Sequence, residues 1–125
     1  MKEKSKGRKT VRVAFASEEN KGLESTLAHH FGRCPYYVFV DVENGKVKEV
    51  EVKKNPFFDK HEPGVVPKFI AEQKADVIIA GGMGPRAIEW FEELGIKPIT
   101  INTGKINQIL KDYLEGKLTG AEPCR

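Results

Sequence analysis

Residues 36–54 read Tyr36-Tyr37-Val38-Phe39-Val40-Asp41-Val42-Glu43-Asn44-Gly45-Lys46-Val47-Lys48-Glu49-Val50-Glu51-Val52-Lys53-Lys54. Two runs of β-forming residues flank Asn44-Gly45, a pair in which both residues tolerate positive φ and so closes a tight hairpin. The first run, from Tyr36 to Val42, is dense in aromatic and branched residues. The second alternates: Val47, Val50 and Val52 stand among lysines and glutamates. Val47 and Val50 are three apart, which breaks the period of two and predicts a bulge. A strand with one wet face and this much charge belongs at a sheet edge. The hairpin decides the fold because it puts an antiparallel meander into a chain whose remaining elements alternate strand and helix.

Outward from the hairpin, Val11 to Ala16 is apolar enough for a buried strand. Residues 23–35 read as irregular or briefly helical; a full crossover helix there would instead make the sheet flavodoxin-like. Prolines and a glycine make residues 55–64 a loop. A helix follows from Val66 to Lys74, with Pro67 in its first turn and Val66, Phe69 and Ile70 as its apolar stripe. Asp76 to Ala80 is a continuous apolar strand of the kind covered on both faces. Gly81-Gly82-Met83-Gly84 then turns into a helix from Pro85 to Leu94, stopped by Gly95. Lys97 to Asn102 is the last strand and Ile106 to Leu114 the last helix, ending at Gly116. A meander followed by two βα units demands a mixed sheet. The right-handed crossover rule limits how the helices cover it. An α/β fold of five strands in the order 3-2-1-4-5, with three helices, satisfies these constraints and resembles the ribonuclease H-like topology.

A length of 125 residues fits one domain. Lys2, Lys4, Lys6, Arg8 and Lys9 against Glu3 give residues 1–10 a charge of +4, and the remaining 115 residues hold 16 Lys+Arg and 17 Asp+Glu. We therefore read residues 1–10 as a basic disordered tail, 11–116 as the domain, and 117–125 as a C-terminal tail. The near-neutral body speaks against nucleic-acid binding, which wants a basic face on the domain itself. No apolar run approaches the ~20 residues of a membrane span. Nothing apolar follows the basic N-terminus before Val11, as a signal peptide requires. With only Cys34 and Cys124, a disulfide framework is not expected, and the cytoplasm is the expected compartment. The Lys/Glu-rich composition with Val and Ile in the strands suits a thermophile.

Chemistry concentrates in two places. His29-His30-Phe31-Gly32-Arg33-Cys34-Pro35 offers two imidazoles and a thiol within six residues, the donors that transition metals and iron–sulfur clusters prefer. His30 and Cys34 are four apart, so one turn can point both to one side, and Arg33 can neutralise an anion. The competing reading packs Cys34 and one of the two histidines under the sheet. A tetrahedral zinc site would need a further ligand such as His61, itself expected in a solvated loop. Gly81-Gly82-Met83-Gly84-Pro85-Arg86 sits between a buried strand and a helix, where exposed N–H groups attract anions. The competing reading is a turn that needs glycine for sterics alone. The loose Gly82-x-Gly84-x-x-Ala87 match to a dinucleotide pattern lacks an acid for a ribose after the next strand, and no P-loop is present.

Catalytic constellations are wanting. The first strand carries no carboxylate and Asp41 and Asp76 are isolated, so two-metal nuclease chemistry is not expected despite the topology. Cys34 with His29 or His30 lacks a third orienting group. Phe57, Phe58 and Trp90 read as packing rather than as a base-stacking platform. The chain is therefore not expected to be an enzyme.

The run His30-Phe31-Gly32-Arg33-Cys34-Pro35-Tyr36 and the run Asp76-Val77-Ile78-Ile79-Ala80-Gly81-Gly82-Met83-Gly84-Pro85-Arg86-Ala87, followed by Gly95-Ile96, resemble the dinitrogenase iron–molybdenum cofactor-binding family. The likeness spans roughly residues 11–115. It implies a ribonuclease H-like fold and a protein that holds an iron–sulfur or iron–molybdenum-type cluster during metallocluster assembly or transfer. It further implies His30 and Cys34 as ligands, with His29 competing for the role. Arg33 and Arg86 become counter-charges, and Gly82-Met83-Gly84 a backbone cradle. The implied partners are cluster donor or acceptor proteins, met as a monomer or weak homo-oligomer. Two other readings compete: a regulatory module binding an anionic small molecule at the glycine turn, and a Cys34-dependent enzyme.

In the expected strand order the first and fourth strands are parallel neighbours ~4.8 Å apart. The segment 29–34 and the turn 82–86 should then emerge together at one edge of the sheet. A structure placing them at opposite ends would overturn this arrangement.

Overall fold

The computed structural model describes residues 10–58, 64–102, 104–118 and 120. Most of the expected N-terminal tail, His61 and Cys124 lie outside the described residues. The elements are β1 (Thr10–Ser17), a 3-10 turn (Gly22–Glu24), β2 (Tyr36–Glu43), β3 (Lys46–Lys54), α1 (Val65–Glu72), β4 (Val77–Ala80), α2 (Pro85–Glu93), β5 (Lys97–Thr100) and α3 (Ile106–Leu114). The sheet order is β3-β2-β1-β4-β5. β1 and β2 pair antiparallel, as do β2 and β3. β1 with β4 and β4 with β5 are parallel.

The hairpin closes through Asn44 and Gly45, both at positive φ. The ladder steps from Asp41↔Glu49 to Val42↔Val47, a bulge that returns Val47 to the face of Val50 and Val52. β3 is one of the two edge strands, mostly exposed, and its lysines oppose further pairing. β1, β2 and β4 are covered on both faces. Ala14, Ala16, Tyr37, Phe39, Ile78 and Ala80 pack with Val66, Ile70 and Phe91 beneath α1 and α2. Val13, Phe15, Val38, Val40, Val77 and Ile79 pack with Ile106, Ile109 and Leu110 of α3. Trp90 lies against Gly64, where any Cβ would sit 2.1 Å from the indole ring.

One charged side chain ties several elements together. Arg12 Nη1 donates to both Asp41 carboxylate oxygens at 3.0 and 3.1 Å, and Nη2 to Glu51 at 2.8 Å. Its Nε donates to the Gln73 carbonyl at 2.8 Å, and its guanidinium lies 4.9 Å from the Phe39 ring centre. The hydrogen bond from Arg12 holds the Glu51 carboxyl below the usual carboxylate range. Asp41, isolated in the sequence, is thus a structural partner.

The segment boundaries differ slightly from the sequence pattern. Asp76 stays outside β4: its carboxylate accepts the Arg12 amide at 2.9 Å, and its own amide donates to the Arg12 carbonyl at 2.7 Å. β5 stops at Thr100, whose amide donates to the Gly120 carbonyl at 3.3 Å, and Leu118 packs against the α3 side of the core. The packed body therefore continues past Gly116, where a free tail was expected.

Replacing Arg12 by Met should cost about 2–3 kcal/mol in urea unfolding, because Asp41 then loses its charged partner while still partly buried. Glu51 adds a pH signature. Its depressed carboxyl contributes stability above the ~4.3 pKa of an unfolded glutamate, lost as pH falls through the lower folded value. Glu51 is nearly half exposed, so the signature is small. It should be smaller still in Arg12→Met, where only Lys53 continues to lower the Glu51 carboxyl.

Candidate functional site

The β1–β4 ladder ends at Phe15↔Ile79. Beyond it the segment 27–31 enters between the carboxyl ends of the two strands. Ser17 bridges Leu27 antiparallel, and the Ala28 amide donates to the Ala16 carbonyl at 2.8 Å. On the other side the Gly81 amide donates to the Ala28 carbonyl at 2.9 Å. The Phe31 amide reaches the Gly82 carbonyl at 3.4 Å, and His30 bridges Gly82 in parallel. The approach is close: a Cβ on Gly81 would lie 2.8 Å from His29 Cα and 2.9 Å from the His29 carbonyl oxygen. The expectation that the histidine segment and the glycine turn meet at one sheet edge is therefore met by direct backbone pairing.

The approach to this wedge is held by a polar mesh. Ser17 and Ser25 hydroxyls donate to the Glu19 carbonyl at 2.7 and 3.1 Å, and the Glu19 carboxylate accepts the Thr26 amide at 2.9 Å. That bond lowers the Glu19 carboxyl. Ser17 and Ser25 are buried, yet every hydroxyl has a partner, as buried polar groups require.

The side chains divide into two populations. His29 and His30 are exposed, their ring centres 4.6 Å apart and nearly perpendicular. Arg33 is exposed on the same segment, and Arg86 is exposed in the first turn of α2. Cys34 and Met83 go the other way. Cys34 is 2% exposed and Met83 1%, and both belong to the core beneath α1 and α2. The Cys34 thiol donates to the Phe31 carbonyl at 3.4 Å, and the Tyr37 hydroxyl donates to the same oxygen. Burial pushes the Cys34 thiol up to about 11 and the Tyr37 phenol well above its ordinary value. The helical spacing argument for pairing Cys34 with His30 does not apply, because residues 29–35 form no helix. The thiol closes the floor of the loop while the imidazoles stand outside it.

Among the described residues, no group of three or more His, Cys, Asp or Glu side chains is placed to hold a metal ion. The surface offers instead imidazoles, guanidinium groups and a glycine-bounded helix start with Gly84 at its N-cap. Guanidinium groups and backbone N–H donors suit an anion better than a bare cation.

The structure adds Asn55, which carries no functional signal in the sequence. It is 5% exposed, and its carboxamide donates to the Gly32 and Cys34 carbonyls at 3.3 and 2.9 Å. An asparagine before a proline signals a turn. Nothing local reveals a bond reaching more than twenty residues back.

Comparison with known proteins decides the family. The family model for dinitrogenase iron-molybdenum cofactor proteins matches residues 9–116. The chain belongs to this family. An uncharacterized protein of Methanocaldococcus jannaschii is 34% identical over 112 residues, covering 88% of this chain and 91% of the relative. The crystal structure of PH0822 is 41% identical with a TM-score of 0.78, covering 88% of this chain and 96% of that one. The apo form of the orange protein from Desulfovibrio gigas is 26% identical with a TM-score of 0.78, covering 90% and 93% respectively. The matched region contains the whole wedge and the glycine turn.

Two outcomes follow from the geometry. Gly81→Ala should destabilise the protein by about 1–3 kcal/mol, since backbone rather than a flexible side chain must move. In the same variant the Phe31 amide should lose its protection from hydrogen exchange. In a Cys124→Ser background, Cys34 should resist alkylation at pH 8, where a thiol of pKa about 11 is thiolate in about one molecule in a thousand. An unfolded thiol ionises near ~8.5, so raising the pH from there towards about 11 favours the unfolded chain, and stability should fall across that window.

Proposed function

We propose that the protein holds a preassembled anionic iron–sulfur or iron–molybdenum-type cluster as cargo and passes it between cluster donor and acceptor proteins. The observation that carries this reading is the pairing of His30 with Gly82, which sets exposed imidazoles beside the turn that opens α2. Family membership supports a metal cluster as the class of cargo. A closed single-ion site needs about four convergent ligands. A cluster brings most of its coordination with it and asks for few protein ligands, with charge and hydrogen bonds around it.

In this reading His30 is the ligand and His29 the second imidazole at the rim. Arg33 and Arg86 supply positive charge, and the first-turn amides after Gly84 supply N–H donors. Cys34 is not a ligand in this reading: a buried, protonated thiol is a poor one, and its role is to hold the Phe31 carbonyl with Tyr37. The same raised thiol supports a non-catalytic role, because a nucleophilic cysteine requires the opposite shift. We further propose that the chain works in the cytoplasm as a monomer or weak homo-oligomer. No helix among the described residues is long and apolar enough to cross a membrane.

Anaerobic reconstitution with ferrous iron and sulfide, read by visible absorption and metal analysis, tests the proposal. His30→Ala should lower cluster affinity by about tenfold or more. Arg86→Ala should lower it by roughly threefold, the size of a charge near a helix start. Cys34→Ala should load as the parent does. Equal loading of His30→Ala and parent would instead favour a module that recognises an anion at the glycine turn alone.

A further inference from the structure

We propose that Asn55 is a positioning residue of this site, acting on Arg33 from below the loop; the inference rests on the cluster-carrier reading. Asn55 follows β3 directly, and its amide extends the β2–β3 ladder by donating to the Pro35 carbonyl at 2.9 Å. The carboxamide then takes up two more carbonyls, those of Gly32 and Cys34. Its Oδ1 accepts the Phe57 amide at 2.9 Å, and its own carbonyl accepts the Phe58 amide at 3.2 Å. Every polar group of this buried residue is thus engaged, and two of its bonds bracket Arg33.

The consequence lies in peptide geometry. In a planar trans peptide the carbonyl and the N–H point in opposite directions. Asn55 draws the Gly32 carbonyl inward, so the Arg33 amide of the same peptide points away from Asn55. Among the described residues that amide has no acceptor. Asn55 therefore removes two carbonyl oxygens from a surface meant for an anion and leaves an N–H in their place. It also restricts the Arg33 backbone, from which the exposed guanidinium springs. No ligand contact by Asn55 itself is required, since it lies beneath the loop.

Asn55→Asp is the sharpest probe. It keeps the acceptor for Phe57 and replaces both carbonyl-directed N–H bonds by a carboxylate oxygen. Two measurements separate this inference from the reading it rests on. In the protein without cluster, the Phe31 amide should exchange about tenfold faster in Asn55→Asp, with Ile79 in β4 unchanged. With ferrous iron and sulfide, loading should fall by about fivefold, and the loss should be less than additive with that of Arg33→Ala. A merely structural role would give additive losses and speed the exchange of both amides alike. Should Asn55→Asp fail to fold, Asn55→Ser serves: its hydroxyl keeps the turn with Phe57 but is too short to reach Gly32. Unchanged Phe31 exchange, or additive losses with Arg33→Ala, overturns the role of Asn55. Failure of the parent to load any cluster overturns the carrier reading, while the exchange result still decides whether Asn55 holds the loop.

Discussion

The parallel pairing of β1 with β4 is the joint on which the molecule depends. It runs only over Val13↔Val77, Ala14↔Ile78 and Phe15↔Ile79, yet it joins the antiparallel meander to the βα half. All six residues are buried, so the seam is apolar on both faces and admits no slip without exposing core. Because the ladder is short, the two strands part above it, and their ends expose backbone groups that need partners. Segment 27–31 provides them. The site is thus a consequence of how the sheet is stitched: the histidine segment is held by the backbone groups that β1 and β4 no longer give each other.

This arrangement separates holding from presenting. The parts that hold are buried and neutral: the Cys34 thiol, the Tyr37 hydroxyl, the Asn55 carboxamide and the hydroxyls of Ser17 and Ser25. Cys34 and Tyr37 share the Phe31 carbonyl, Ser17 and Ser25 share the Glu19 carbonyl, and Asn55 takes the Gly32 and Cys34 carbonyls; a buried carbonyl left without any donor costs about 1–3 kcal/mol. The parts that present are exposed and cationic or basic: His29, His30, Arg33 and Arg86. Arg12 is a third case. It sits beside the start of the strands and is consumed by Asp41, Glu51 and the Gln73 carbonyl, so it lends its charge to the fold rather than to a ligand.

The sheet was legible because its signals are local. Asn44-Gly45 announces the hairpin, the Val47–Val50 spacing announces the bulge, and the apolar run into Ala80 announces a strand covered on both faces. The meeting of His30 with Gly82 followed from strand order alone. What escaped depends on side-chain direction in an irregular segment. Cys34 lies in sequence beside Arg33, yet one is in the core and the other on the surface. Without a helical or strand period, only the general tendency of cysteine to be buried separates the two in the run His29 to Pro35. Asn55 escaped for a related reason, since its partners lie across the β2–β3 hairpin and only the folded register brings them near. Asp41 looked idle until Arg12 was placed opposite it.

The division between buried holders and exposed presenters bears on how cargo would leave. A ligand gripped by buried thiolates could depart only if the core opened, at an energy near that of unfolding. A ligand resting on exposed imidazoles and guanidinium groups needs only those side chains to turn, and an accepting protein can approach the same edge while the floor stays closed. Electrostatic attraction at an exposed surface is modest and screened. In the proposed carrier, firm holding would come from an imidazole bond and from amides fixed in advance, whose ordering is already met by folding. A rigid floor with a labile rim is the physical form such a carrier needs, and the bonds that Cys34, Tyr37 and Asn55 make to the Phe31, Gly32 and Cys34 carbonyls make that floor.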